Sequence, residues 1–504
     1  MKTIKSKVIV GIILLYCGSA KGNTIEIDNS IKNITDILNN APENSVIKIK
    51  NGNYEASGVQ IEKNNITIQG ESLQGVKIKL YANKNGVFFR VGKRGAESDY
   101  RPDNLPVYNG TFNSWSENNF SPSTLNYPRY SNINVSNITF LLSNKNGKGV
   151  GSGIEYYRVN DSSLNAIVKW EKYFDFGNAV RFHYCKNLRL PFLKIESNPK
   201  VIFGMLYYWS YGLKAGDLNF GNAELVSAEF KHSINSYISN LVTTGDGRPN
   251  YRGVNIGYGS ISNKFNNLTV NNGTLNLKSS VEFDLSRDID IKKLKIINNK
   301  GVGLSISRIE KLNIENYFIS AESPIVGTTM NYYVGNSNTG KLLKKESLFS
   351  NKGDYISFED EKNYKKFYDY RPFPILKNSN FKQGNIIVVG NANYGILIKI
   401  PKEANYMFNK YKNLNKFDNV EVKKGGYKEE MRNSYKFNNS FPFSVENVNF
   451  GNMIIKNESN NPLKAFIYFG APIVNTEGNI QLYGEGKEMI SYWLNNSNIK
   501  LKKN

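Results

Sequence analysis

The stretch from Arg252 to Ile319, RGVNIGYGSISNKFNNLTVNNGTLNLKSSVEFDLSRDIDIKKLKIINNKGVGLSISRIEKLNIENYFI, decides the fold. Val254 and Ile256, then Val281, Phe283 and Leu285, then Leu304 and Ile306 alternate with polar neighbours, the period-two pattern of strands with one buried face. A second short strand follows each: Leu268 and Val270, Leu294 and Ile296, Leu312 and Ile314. The steps from Ile256 to Phe283 and from Phe283 to Ile306 are 27 and 23 residues, which suits one turn of a parallel coil.

The pattern extends towards the N-terminus. Val180 and Phe182 precede Leu188 and Leu190, and Ala228 and Phe230 precede Ile234 and Ile238. Phe182 and Phe230 are 48 residues apart, or two coils, so an intervening coil is expected in 200–211 around Val201, Phe203 and Met205. Asparagine doublets at 64–65, 266–267, 271–272 and 298–299 are expected at the corners, because asparagine tolerates left-handed backbone.

The first residues carry lysines at 2, 5 and 7, an apolar run from Val8 to Tyr16 and small residues near Gly18–Gly22. That is the pattern of a secretory signal peptide, so residues 1–22 are expected to be removed and the protein exported to periplasm, medium or cell surface. The run is too short to span a bilayer, and no later stretch reaches transmembrane length. Once the signal is removed, Cys185 is the only cysteine and cannot form an internal disulfide. The formal charge is +22; without the four signal lysines about 61 basic groups face 43 acidic ones, or +18. For an exported chain that balance points to an acidic polysaccharide, with no nucleic-acid partner expected. Coding bias towards lysine and asparagine is the alternative source of the charge.

Residues 29–40 place Ile31, Ile34, Ile37 and Leu38 at helical spacing and lead into NSVIKIKNGNY, GVQIEKNNITIQG and GVKIKL. A helix followed by such coils resembles the start of proteins of the pectin-lyase-like superfamily. The resemblance implies an all-β fold: a right-handed parallel β-helix with a short N-terminal capping helix and an additional C-terminal β region. The expected organisation is a β-helix over 23–334, interrupted by an aromatic loop at about 93–130. A lysine-rich segment and further coils, or a separate β module, would occupy 335–504.

If the aromatic and aliphatic residues at 182, 230, 256, 283 and 306 point inward, two outward columns result. One reads Arg181, Glu229, Asn255, Glu282 and Ser305; the other reads His183, Lys231, Gly257, Asp284 and Ser307. The loop TTGDGRPNYRG adds Asp246, Arg248, Tyr251 and Arg252. These types suit β-elimination from a uronic-acid polysaccharide, which needs a cation for the carboxylate, a base for the adjacent proton and an acid for the leaving oxygen. Arg248 or Arg252 would neutralise, Lys231 or His183 would act as base, and Tyr251 would donate. Arg181, Glu229, Asp246, Trp115 and Tyr208 would line the substrate groove. The alternative reading is a non-catalytic, adhesin-like β-helix that holds a polyanion.

Family signatures narrow the choice. Polygalacturonase-like members carry paired aspartates and Gly-His-Gly, and this sequence has no Asp-Asp, with Gly301-Val302-Gly303 in place of the second motif. The segment ISNKFNNLTVNNGTLNLKSS is similar in outline to the Asn-Lys-Ser rung of the chondroitinase B and alginate lyase type, with Phe265 replacing the serine after Lys264. No resident cofactor is expected; Asp288 and Asp290, beside Arg287 and Lys292, are the pair that calcium could use.

Overall fold

The computed structural model describes residues 22–83, 86–93, 130–143, 151–173, 176–245, 252–257, 260–273, 279–327, 331–336, 342–347, 364–368, 375–399 and 444–504. Within them the chain winds as a parallel β-helix whose strands lie in three stacks. The first stack joins Val59–Ile61, Phe89–Gly92, Ser152–Tyr157, Phe176–His183, Val201–Tyr211, Val226–Ile234, Arg252–Gly257 and the start of Ser279–Gly327, each parallel to the next. A tight turn leads from each first-stack strand to the second stack, and a short bend leads on to the third.

The expected register is the observed one. Phe182 pairs with Tyr207 and Tyr207 with Phe230, so the coil expected in 200–211 lies between them. Phe230, Ile256 and Phe283 follow in line. Burial of these faces gives the solenoid its core. Tyr156, Phe182, Tyr207 and Phe230 form an interior file of rings with centroids 5.5, 6.2 and 6.2 Å apart. Phe203 departs from the expected alternation. It lies on the outer face, where the Lys231 ammonium sits 5.9 Å from its ring, and Met205 and Tyr207 take the inward positions.

Past the break near residue 333, coils resume in the same stacks. Ile325 pairs with Ile396, which pairs with Ile467 and then Ile490, all in parallel. In the interval, Asn331–Asn336, Leu342–Ser347 and Tyr364–Tyr368 form an antiparallel sheet that period-two reading of the lysine-rich segment did not reveal. At the other end the helix is short, Thr35–Asn40, and it buries Leu38 over the first coils. A hydrophobic first coil is thereby covered.

The corners are held by a file of left-handed residues, one per coil. Asn44, Asn65, Asn132, Asn187, Asn235, Asn378, Asn447 and Asn475 all have φ between 48° and 63°. Their amides bond up the file: Asn65 to Asn44 at 2.9 Å, Asn132 to Asn65 at 2.9 Å, Asn447 to Asn378 at 2.9 Å and Asn475 to Asn447 at 3.2 Å. Of the doublets singled out in the sequence, 64–65 supplies this file, whereas Asn266 and Asn267 lie in the extended strand Ile261–Gly273.

A second file explains the lone cysteine. Ser210, Ser233, Ser260 and Ser286 are buried one coil above another, and Cys185 occupies the same position one coil earlier. Ser260 Oγ donates to the Phe230 carbonyl at 3.1 Å and Ser286 Oγ to the Ile256 carbonyl at 3.0 Å. The Cys185 thiol makes the equivalent bond to the Tyr156 carbonyl at 3.4 Å. Burial pushes this thiol up to about 12. The native state thus favours the protonated thiol; this contribution is complete below the ordinary thiol range and is lost as pH rises towards 12. Iodoacetamide at pH 8 should leave Cys185 unmodified in the folded protein and label it fully in denaturant, as peptide mass mapping would show. Cys185→Ser should change stability by about 1 kcal/mol or less, because serine already fills the same position in the following coils.

Candidate functional site

The outer face of the first stack carries the predicted columns, and hydrogen-bond register fixes their members. One column runs Arg90, Glu155, Arg181, Leu206, Glu229, Asn255, Glu282. The next runs Gly92, Tyr157, His183, Tyr208, Lys231, Gly257, Asp284. These side chains project away from the core, yet most are buried: Glu155, His183, Glu229, Asn255 and Asp284 are each no more than 6% exposed. Polar groups kept from water need partners, and here they form three clusters.

In the first, Glu155 lies between two guanidinium groups, with Arg90 Nε at 2.6 Å and Arg181 Nη1 at 3.8 Å. Arg181 Nη2 lies 2.9 Å from His183 Nδ1. Arginine only donates, so Nδ1 accepts and the imidazole proton sits on Nε2. His183 is also packed against Tyr184 and Tyr208, stacked at 4.1 and 4.9 Å, with Tyr157 edge-on at 5.0 Å. Leu206 ends this cluster.

The second cluster is Glu229, Lys231 and Asn255. Lys231 Nζ is 2.8 Å from Glu229 Oε1, and Asn255 Nδ2 donates to the same oxygen at 3.0 Å. Glu229 Oε2 has no hydrogen-bond partner among the described residues. The Lys231 side chain is one-quarter exposed while its partner is buried, so the ammonium is the part of this cluster that meets solvent. In the third, Arg252 is bound through Nε to Glu282, which also accepts from Ser279 Oγ at 3.3 Å. Burial raises the Glu282 carboxyl, against the opposing pull of Arg252.

The structure places several of the predicted site residues within these clusters. His183, considered as a base, has its Nδ1 against Arg181. Lys231, considered as a base, is ion-paired with Glu229. Arg252, considered as a neutralising cation, is bound to Glu282. Tyr208 lies between His183 and Lys231 in its column, and burial raises its phenol, so it keeps its proton. Trp115, Asp246, Arg248 and Tyr251 lie outside the described residues. Among the aspartates considered for calcium, Asp288 accepts from Ser262 at 2.8 Å and Asp290 from Asn313 at 2.9 Å, so they serve different neighbours.

Arg90 and Glu155 were not evident in the sequence. Six consecutive residues, Ser152–Tyr157, are buried, so that strand carries no alternation. The signal that would locate them is positional: they stand one and two coils before Arg181.

No protein-family model and no curated protein matches the chain. Among solved structures, the chain is similar to the Azotobacter vinelandii mannuronan C-5 epimerase AlgE6 A-module, with TM-score 0.38, 10% identity and 93% of each chain covered. The AlgE4 A-module of the same organism gives TM-score 0.35 at 9% identity, covering 92% of this chain and 93% of that one. The alginate lyase AlyF-OU02, in complex with G6, gives 0.32 at 10% identity, covering 95% and 89%. At these identities the likeness concerns the fold alone.

Proposed function

We propose that this chain is an exported protein that acts on a uronic-acid polysaccharide along the outer face of the first stack, cleaving it by β-elimination. The supporting observation is the register of Arg181, Tyr208 and Lys231 on adjoining outward columns of three successive coils. Coils repeat about every 4.8 Å, so Arg181 and Lys231 stand roughly two sugar units apart.

In the elimination, a base takes the proton next to the substrate carboxylate, its electron pair forms the new carbon–carbon double bond, and the glycosidic carbon–oxygen bond breaks. The leaving oxygen then takes up a proton. In this reading Lys231 neutralises the carboxylate, which stabilises charge that grows as the proton departs. Tyr208, which retains its proton, is the donor to the leaving oxygen.

A second reading has a specific support: His183 Nδ1 and Lys231 Nζ are both engaged, and neither is poised as a base. The face would then hold an acidic polymer without cutting it. Ultraviolet absorbance during incubation with alginate, pectate and glycosaminoglycans separates the two. A rising signal on one polymer establishes elimination. A flat trace with salt-sensitive retention on an immobilised polymer gives the binding reading, and neither signal on any polymer removes both.

A further inference from the structure

A second groove lies on the outer face of the stack formed by Val76–Tyr81, the later part of Asn134–Ser143, the later part of Ser163–Trp170 and Arg189–Ile195. It has a volume of about 820 Å³ and is lined by Lys32, Lys77, Lys79, Lys169 and Lys194, with Glu55 as its acidic member, over a floor that includes Leu141 and Ile167. Register explains how lysines so distant in sequence meet. Lys77 pairs with Thr139, Thr139 with Ile167, and Ile167 with Lys194, giving one column across four coils. Beside it, Lys79 pairs with Leu141 and Leu141 with Lys169.

The lysines divide into two kinds. Lys79 is bound to Glu171, and Lys169 to Glu196 at 2.9 Å. Lys32, Lys77 and Lys194 are exposed and make no ion pair among the described residues. The groove therefore presents lysines that make no ion pair at both ends of a column whose centre is Thr139 and Ile167, both buried to within a few per cent, and its five lysines outnumber the one acidic residue of the lining, Glu55. Lys77 and Lys194 are three coils apart, about 14 Å at the usual strand spacing.

We propose that this groove is a second, non-catalytic binding site for a linear acidic polysaccharide running along the solenoid axis. The apolar faces of the sugar rings would rest on the partly exposed Leu141, and the anionic substituents would meet Lys77 and Lys194. An apolar strip flanked by point charges at a multiple of the coil repeat suits a polymer whose rings follow one another at a similar repeat. This inference rests on the polysaccharide reading above and extends it to a separate face, where a long chain would be anchored while another portion lies on the first stack.

The test is a charge reversal of two exposed residues, Lys77→Glu/Lys194→Glu, with Lys77→Gln/Lys194→Gln as a milder companion. Both are compared with the unaltered protein by salt elution from immobilised alginate and pectate, and by circular dichroism to check the fold. The reversal should weaken retention about tenfold and the glutamine pair less. If the unaltered protein is retained and both variants elute with it, the groove is overturned and the polysaccharide reading stands. If the unaltered protein is retained on no acidic polymer, both fall. Equal, lysine-dependent retention on DNA or on anionic phospholipid vesicles would also overturn the proposal, because the groove would then be a general cation surface.

Discussion

Glu155→Leu should destabilise the β-helix by about 3–5 kcal/mol, the cost of removing one partner from a buried ionic cluster. Glu155 is 3% exposed and is approached by both Arg90 and Arg181. Without it two guanidinium groups remain on a largely dry face, and Arg181 keeps only its bond to His183 among those described above. The same column shows that leucine itself is acceptable there, since Leu206 occupies the equivalent place one coil beyond Arg181. Replacing Arg90, Glu155 and Arg181 together by leucine should therefore cost much less than the single change. Denaturant unfolding read by circular dichroism gives the comparison; a single variant within about 1 kcal/mol of the unaltered protein would contradict the ionic account.

The second large effect is expected on function. Lys231→Gln should lower turnover of the acidic polymer by about 10²–10³, the usual loss when one preorganised charge at a developing anion is removed. Lys231→Arg should restore part of it. Glutamine still offers Glu229 a hydrogen bond, so stability should change far less than activity. Should elimination prove absent, the same substitution would read out as weaker retention of short acidic oligosaccharides. Turnover equal to that of the unaltered protein would remove Lys231 from the site.

What the sequence made legible follows from where periodicity survives. Coils with clean alternation, such as those of Phe230, Ile256 and Phe283, disclosed both their inward faces and the outward columns that bear Arg181, His183, Glu229 and Lys231. Legibility failed where the outward residues are themselves buried, as in Ser152–Tyr157, and there Glu155 went unseen. Residue type disclosed the candidates but not their states. The Nδ1 contact of His183 with Arg181, two residues away on the same strand, and the pairing of Arg252 with Glu282, 30 residues away on the next coil, depend on side-chain geometry. The lysine groove escaped for a related reason: Lys77 and Lys194 fall in one column only once the coils between them are counted.

The most direct test of the central claim is hydrogen exchange of the protein with and without a short uronic-acid oligosaccharide, read by peptide mass spectrometry. The account predicts added protection in the strands Phe176–His183, Val201–Tyr211 and Val226–Ile234, which carry Arg181, Tyr208 and Lys231. Binding of the oligosaccharide with no change in those three strands would contradict it.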